Sequence, residues 1–418
     1  MKQEPHTFSA LRNHPEPFAS FAILSGLGSA RAKHPQSQLS TITQSHLIAC
    51  THPDPLNALQ TLIGTHPDDH WIITLSYDLA HTIEAAAPKC TSSFPHIIAH
   101  RCSPNDPHTN EPSATHPDAW TIDRSTISMA KPSKYINAVQ KALDYISAGD
   151  VYQVNIAHPI TIPFQGSSSA LAKHLFAHTN PALGSFTCFD TSDTRHAIIS
   201  LSPEIFLTYD PATRRLITEP MKGTRPASAD PNELHANLKD RAELNMIIDL
   251  MRNDLGRIAV PSTVKVTSHR DIALHHNSVH QATATIQATI RDGLTLSDTL
   301  RATFPPGSIT GAPKIRAMQI IHELESDLSP HIHRAPYCGS TIALSPSGHY
   351  TAAVNIRTLH ITGTPDPHSP DGFKDATLIY HAGAGIVADS DPESEWEETL
   401  AKAQILESAL DIDLRSRS

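Results

Sequence analysis

At 418 residues, 39% of them hydrophobic and 18% charged, the chain has a globular composition and length for one large domain or two ordinary ones. A formal net charge of −10 excludes a general nucleic-acid binder, and it requires any anionic ligand to be met by a local cluster of cations, amides or metal. No apolar run approaches the roughly 18 residues of a membrane-spanning helix, residues 1–6 are too polar for a signal peptide, and five scattered cysteines without a C-x-x-C pair point to a reducing cytoplasm.

Short apolar runs separated by Pro- and His-rich turns fill the first part of the chain. Phe21-Ala22-Ile23-Leu24 and Trp71-Ile72-Ile73-Thr74-Leu75 are examples, and they read as strands of a β-rich half. Residues 102–119, dense in Pro, Asn, Asp, Ser and Thr, read as a linker or surface loop. The chain then divides into an N-terminal β-rich region, 1–122, and a second region, 123–418. The spacing of Ile136, Val139, Leu143 and Ile146 predicts a helix capped by Ser133 and stopped at Gly149. Residues 151–162 read as a strand.

A second helix begins near Asp240, with Leu244, Ile247, Ile248 and Met251 as its apolar face. A third follows Gly307-Ser308-Ile309-Thr310-Gly311-Ala312-Pro313, with Pro313 in its first turn and Ala317, Ile320, Ile321 and Leu324 as its stripe. Strands are expected over 339–344, 350–361 and 377–380, with an enlarged surface loop over 364–375. The last helix starts at Asp391-Pro392 and turns Trp396, Leu400, Ala403 and Leu406 to one side. The 28 histidines fall in His-Pro pairs and loops and are read mostly as composition. Strands and helices mix without a βαβ alternation, which favours an α+β architecture.

Some of these elements carry residues suited to chemistry. Lys222, in Glu219-Pro220-Met221-Lys222-Gly223-Thr224-Arg225, offers an amine nucleophile, which can split one hard substitution into two easier ones. Taken alone, a lysine is usually a solvated base. Glu395 and Glu398 stand at i, i+3 on one helix and Glu243 lies one turn into another; hard oxygen ligands of this kind suit Mg²⁺. On spacing alone they are also capping or solvated glutamates. Arg357 offers a planar fork for a carboxylate, Tyr337 a hydroxyl, and Gly383 a close backbone approach. The 307–313 turn, with Thr310 and Gly311, puts free N–H groups at a helix start, where anions are favoured.

Pro220-Met221-Lys222-Gly223-Thr224 resembles the Pro-x-Lys-Gly-Thr motif of aminodeoxychorismate synthase component I; anthranilate synthase component I usually reads Pro-x-Ala-Gly-Thr there. Around it, in family order, lie Tyr152-Gln153-Val154-Asn155, Ser202-Pro203-Glu204-Ile205-Phe206, residues 243–256 and 307–314. Tyr337-Cys338-Gly339-Ser340, Ile356-Arg357-Thr358, Gly383-Ala384-Gly385-Ile386-Val387 and residues 395–399 complete the set. From about residue 133 to 410 the chain resembles the chorismate-utilising enzymes, which make anthranilate, aminodeoxychorismate, isochorismate or salicylate.

The resemblance implies two packed antiparallel β-sheets with helices outside, two interwoven subdomains and an active site in the cleft between them. It implies Mg²⁺ held by Glu243 and Glu398, with Glu395 beside them or acting through water. Tyr337, Arg357 and the amide of Gly383 would hold the enolpyruvyl carboxylate of chorismate. Glu204 matches the general acid that protonates the departing C4 hydroxyl, a role that needs a raised pKa. Lys222 would add at C2 as that hydroxyl leaves; ammonia would then attack C4 and expel the lysine, giving 4-amino-4-deoxychorismate for p-aminobenzoate and folate. Gln153 stands where isochorismate and salicylate synthases carry a water-activating lysine, and an amide cannot be that base.

One departure concerns Val279-His280-Gln281-Ala282, which puts Gln281 where many relatives have a histidine near the leaving group, with His280 beside it. No cysteine lies in the Gly-x-Cys-x-Gly setting of a glutaminase, so ammonia should be free or come from a separate glutamine amidotransferase subunit. The chain has no recognisable lyase extension, so another enzyme should release pyruvate. The alternative within the family is anthranilate synthase component I, whose tryptophan-inhibitor motif usually falls where Ile23-Leu24-Ser25-Gly26 lies. A non-catalytic regulatory homologue is the alternative from another class.

Overall fold

The structure, a computed structural model, describes residues 21–25, 38–89, 92–102, 119–192, 194–226, 230, 238–275 and 279–417. Two antiparallel sheets form its centre. The first runs, neighbour to neighbour, Gln38–Ile48, Ile97–Cys102, His70–Leu75, Ser340–Leu344, Tyr350–Val354, Ile205–Asp210, Arg215–Glu219, Val279–Thr289 and Lys265–His275. The second runs Gln153–Ser167, Gly372–Ile386, Thr358–Pro365, Arg195–Ser202, Leu183–Asp190 and Phe21–Ser25. Gln38–Ile48 pairs in both, and His70–Leu75 lies directly against Ser340–Leu344. The early strands are thus built into both sheets.

Helices cover the outer faces. Leu244, Ile247, Ile248 and Met251 of the helix Leu238–Gly256 are buried with Ala282, Ala284 and Ile286 of the first sheet. Pro132–Ser147, Lys314–Leu328 and Pro392–Leu410 enclose Val154, Ile156, Ala384 and Ile386 of the second. The predicted stripes of Lys314–Leu328 and Pro392–Leu410 are both buried. These helices form because one apolar stripe each is removed from water, at about 25 cal/mol per Å². This is the α+β arrangement of two antiparallel sheets with helices outside.

Several expectations need correction. Ser133 does not cap its helix: the helix starts at Pro132 with Lys131 as N-cap, because proline's fixed φ and missing N–H suit the first helical position. Its buried face is Tyr135, Ala138, Val139 and Ala142, with Ile136, Leu143 and Ile146 at the rim. The Tyr135 hydroxyl donates to Ile156 O at 2.9 Å, which draws the ring inward. Pro313 stands one residue outside its helix, as N-cap.

The strand expected over 151–162 is Gln153–Ser167, and the one expected over 377–380 is Gly372–Ile386. The two pair along nearly their whole length, and both ends of that ladder are rich in small or polar residues that carry little hydrophobic signal. The loop expected over 364–375 shrinks to 366–371. The single strand expected over 350–361 is two, in different sheets, with the chain crossing between them at 355–357. Residues 103–118 of the expected linker lie outside the described residues. No described helix is long and apolar enough to cross a membrane.

Candidate active site

Lys222 lies on the strand Met221–Pro226, opposite Ala282 of Val279–Thr289. The register shifts directly after it, at Gly223 (φ 80°), a bulge position where glycine's freedom is used. Its Nζ stands 3.9 Å from Glu243 Oε2, and both side chains are largely buried. A Cβ placed on Gly385 would lie 3.1 Å from that Nζ and 2.8 Å from Gln153 Nε2. Lys222 and Gln153 therefore meet above a strand position kept clear by the missing side chain. Gln153 is fully buried, and its carboxamide oxygen and nitrogen make no hydrogen bond among the described residues. A buried amide with unspent hydrogen-bonding capacity can be satisfied by water or by a ligand.

Glu204 is buried in the turn between Arg195–Ser202 and Ile205–Asp210. Its amide donates to Ser202 Oγ at 3.2 Å, and its carbonyl accepts from the Val354 amide at 3.0 Å. The Ser308 hydroxyl donates to its Oε1 at 2.5 Å. Burial pushes the carboxyl up to about 7, against the opposing pull of the Ser308 hydrogen bond, the Lys222 charge and the Met221 amide. A carboxyl half-protonated near neutral pH is suited to giving a proton.

A second group lies around Gly383. The Tyr337 hydroxyl would stand 3.0 Å from a Cβ at that glycine, and the Tyr337 ring stacks on His381 at 4.9 Å between centroids. Arg357 sits at the crossing between the sheets with φ 51°, a backbone setting arginine rarely adopts. Its carbonyl accepts from the Leu201 amide at 3.0 Å. Burial holds its guanidinium below the usual arginine value, against the opposing pull of Tyr380. A desolvated cation favours an incoming carboxylate.

The 307–313 turn behaves differently from the expected anion cradle. The Thr310 amide donates to Gly307 O at 3.3 Å, its hydroxyl to Pro306 O at 3.1 Å, and its carbonyl accepts from the Asn155 amide at 2.9 Å. Gly311 (φ 148°) packs so closely on Gln153 that a Cβ would lie 2.1 Å from the Gln153 carbonyl oxygen. Thr310 and Gly311 thus seat the strand that carries Gln153.

Glu395 and Glu398 diverge. Glu395 is buried and accepts from Ser390 Oγ at 2.6 Å, whereas Glu398 is half-exposed and pairs with Lys402 at 2.7 Å. Lys402 Nζ also donates to Gly383 O at 2.8 Å, so Glu398 is tied to the same strand segment as Tyr337. Glu243 pairs with the Lys222 ammonium at 3.9 Å and Glu398 with that of Lys402 at 2.7 Å. Carboxylates are hard oxygen donors of the kind magnesium takes. No three His, Cys, Asp or Glu side chains gather closely enough to hold an ion among the described residues.

Three supporting features were missed from sequence. Ser308 lies within the 307–314 motif, where nothing local marks its role. Arg334 pairs with Glu325 through two contacts of 2.9 and 2.6 Å, donates to Ile309 O and Asn155 O, and lies 5.7 Å from the Tyr337 ring centre. Lys314 and Asp254 form a buried pair at 2.6 Å. No local pattern marks such long-range pairs. Gln281 is buried on Val279–Thr289 opposite Thr224, next in register to Lys222, and His280 is half-buried beside it.

The model of the family described as chorismate binding enzyme matches residues 23–408. The chain belongs to that family. Among curated relatives, aminodeoxychorismate synthase component 1 of Escherichia coli (strain K12) is 37% identical over 290 residues, covering 68% of this chain and 59% of that protein. Anthranilate synthase component 1 of Aquifex aeolicus (strain VF5) is 35% identical over 287 residues, covering 67% of this chain and 53% of that protein. The match thus spans little more than half of these relatives' length. Among solved structures, anthranilate synthase component I from Streptococcus pneumoniae TIGR4 superposes with a TM-score of 0.66 at 23% identity, covering 98% of this chain and 94% of that one. The menaquinone-specific isochorismate synthase of Escherichia coli does so at 0.63 and 17%, covering 96% and 94%. These two likenesses establish the fold of this family member.

Proposed function

We propose that this chorismate-binding family member is an aminodeoxychorismate synthase that works through Lys222. The observation that carries the reading is the Lys222 amine, held above Gly385 beside Gln153 and Glu243, on the same side as the buried Glu204 carboxyl. Tyr337, Arg357 and the Gly383 amide hold the enolpyruvyl carboxylate. The neutral Lys222 amine attacks C2; the ring double bonds shift, the C4–O bond breaks, and the Glu204 proton goes to the leaving oxygen, releasing water. Ammonia then forms a bond to C4 as the C2–Nζ bond breaks, giving 4-amino-4-deoxychorismate. Holding the amine against the ring makes the first step effectively unimolecular, an advantage that reaches roughly 7–11 kcal/mol in well-oriented systems.

Magnesium, bound by Glu243 and Glu398 with Glu395 beside them, would supply positive charge for the ring carboxylate of chorismate. The relatives named as component 1 support an ammonia supply from a separate glutamine amidotransferase subunit. The second reading, anthranilate synthase component 1, is supported by relatives of nearly equal identity and is disfavoured by the amine at position 222.

Trapping tests the lysine. With chorismate, Mg²⁺ and no ammonia, intact-protein mass spectrometry is expected to show a covalent adduct that Lys222→Ala lacks. An adduct on the Ala variant, or none on the parent protein in the absence of ammonia, would overturn the role of Lys222.

A further inference from the structure

We propose that Ser308 is a positioning residue that fixes which oxygen of the Glu204 carboxyl carries the proton given to the leaving hydroxyl. The proposal rests on the reading of Glu204 as the general acid. Ser308 is buried, and its side chain makes one hydrogen bond among the described residues, to Glu204 Oε1 at 2.5 Å. With Oε1 occupied as an acceptor, the acid form places its proton on Oε2. The carboxyl is then a single-ended donor, and its torsion is pinned by a short, charge-assisted contact when it ionises.

The turn that holds Ser308 is built to be rigid. A Cβ on Gly307 would lie 2.5 Å from Leu250 Cδ2, so glycine lets the turn seat against Leu238–Gly256, the helix that carries Glu243. Thr310 Oγ1 closes it onto Pro306 O, and Arg334 Nη1 donates to Ile309 O at 3.2 Å. The Glu204 backbone is fixed independently through Ser202 and Val354. Donor and acceptor therefore come from two separately anchored segments, 104 residues apart in sequence. Such second contacts are what hold a reacting group to the tolerance catalysis needs.

Other groups facing Glu204 cannot take this role. Lys222 lies across from it as a charge and has the ring to attack. The Cys338 thiol, pushed up to about 12 by burial, is a weak donor. The Met221 amide is a backbone donor that no side-chain change can aim. In the step itself the Oε2 proton moves to the C4 oxygen, the C4–O bond breaks to release water, and Glu204 is left ionised. Ser308 then donates to a full carboxylate, an interaction that strengthens as the reaction proceeds.

The pH dependence separates positioning from bulk packing. The Ser308 hydrogen bond stabilises ionised Glu204, and activity is lost as that group ionises with rising pH. Ser308→Ala is expected to move the alkaline limb of kcat to higher pH and to lower the rate at its optimum roughly tenfold, part of the 10²–10⁴ a positioned proton donor supplies. Ser308→Thr, which keeps the hydroxyl, is expected to return the limb to its parent position. If the Ala protein does not fold, Ser308→Cys, with a weaker donor, is expected to move the limb the same way by less. An alkaline limb that stays in place in the folded Ala or Cys variant overturns the proposal. Chorismate consumption is followed whichever product forms, so finding anthranilate would count against the aminodeoxychorismate reading while leaving the limb comparison decisive for Ser308.

Discussion

The side chains of the site are separated by single-atom margins. A Cβ at position 385 would intrude on both Gln153 Nε2 and Lys222 Nζ, within 2.8 and 3.1 Å. Gly385→Ala is therefore expected to displace both side-chain ends and slow adduct formation while circular dichroism and the unfolding midpoint stay close to the parent; an unchanged rate would show that this margin does not set the Lys222 position. Glu204→Gln keeps the shape and Ser308 contact but removes the transferable proton, so kcat is expected to fall by about 100-fold or more and to lose its alkaline limb. A pH profile of the Gln variant that still bends near 7 would assign that limb to another group. At this scale short motifs pointed to Lys222 and Glu204, and the structure brings the two near each other. The sequence was silent on Ser308 and Arg334, whose importance depends on partners far along the chain.

Helices with one apolar stripe were legible, since burial of that stripe is what makes them form; Leu244, Ile247, Ile248 and Met251 were found as read. Strand limits were less so. The extended ladder of Gln153–Ser167 with Gly372–Ile386 passes through Gly383 and Gly385, where close approach to Tyr337 and Lys222 outweighs strand propensity. The break at 355–357 was invisible for a related reason: Asn355-Ile356-Arg357 carries no Gly or Pro, yet Arg357 is held at φ 51°. Arg357→Lys keeps the charge and loses the planar fork, so KM for chorismate is expected to rise by about tenfold with folding intact; an unchanged KM would remove Arg357 from the carboxylate site. The Lys314–Asp254 pair joins the helix that carries Glu243 to the helix behind the Ser308 turn. Lys314→Met would strand a buried carboxylate and cost about 3–5 kcal/mol, read by urea unfolding, with Asp254→Asn in the same protein recovering part of it. A loss within experimental error in the single variant would contradict that linkage.

Across the whole molecule, the histidines prove to be more than composition. Burial lowers His46, His96, His158 and His196 to about 4 and His100 and His381 to about 3, from 6.5. His196 and His360 stack at 5.3 Å with Nδ1 and Nε2 3.1 Å apart, beside Phe94 and Phe189. The unfolded chain takes up protons first, so this stability is intact above about pH 6.5 and is lost as pH falls toward the folded-state values. The unfolding midpoint is expected to drop steadily from pH 7 to pH 5, and a flat profile would show these rings to be solvated.

The α+β architecture and the family were both readable, because nine short motifs in a fixed order constrain a chain far more than any one does. The choice of reaction turns on one amine, and the product tests it most directly. Purified protein incubated with chorismate, Mg²⁺ and ammonium, with products identified by mass, is expected to yield 4-amino-4-deoxychorismate; anthranilate and pyruvate without any aminodeoxychorismate would contradict the account.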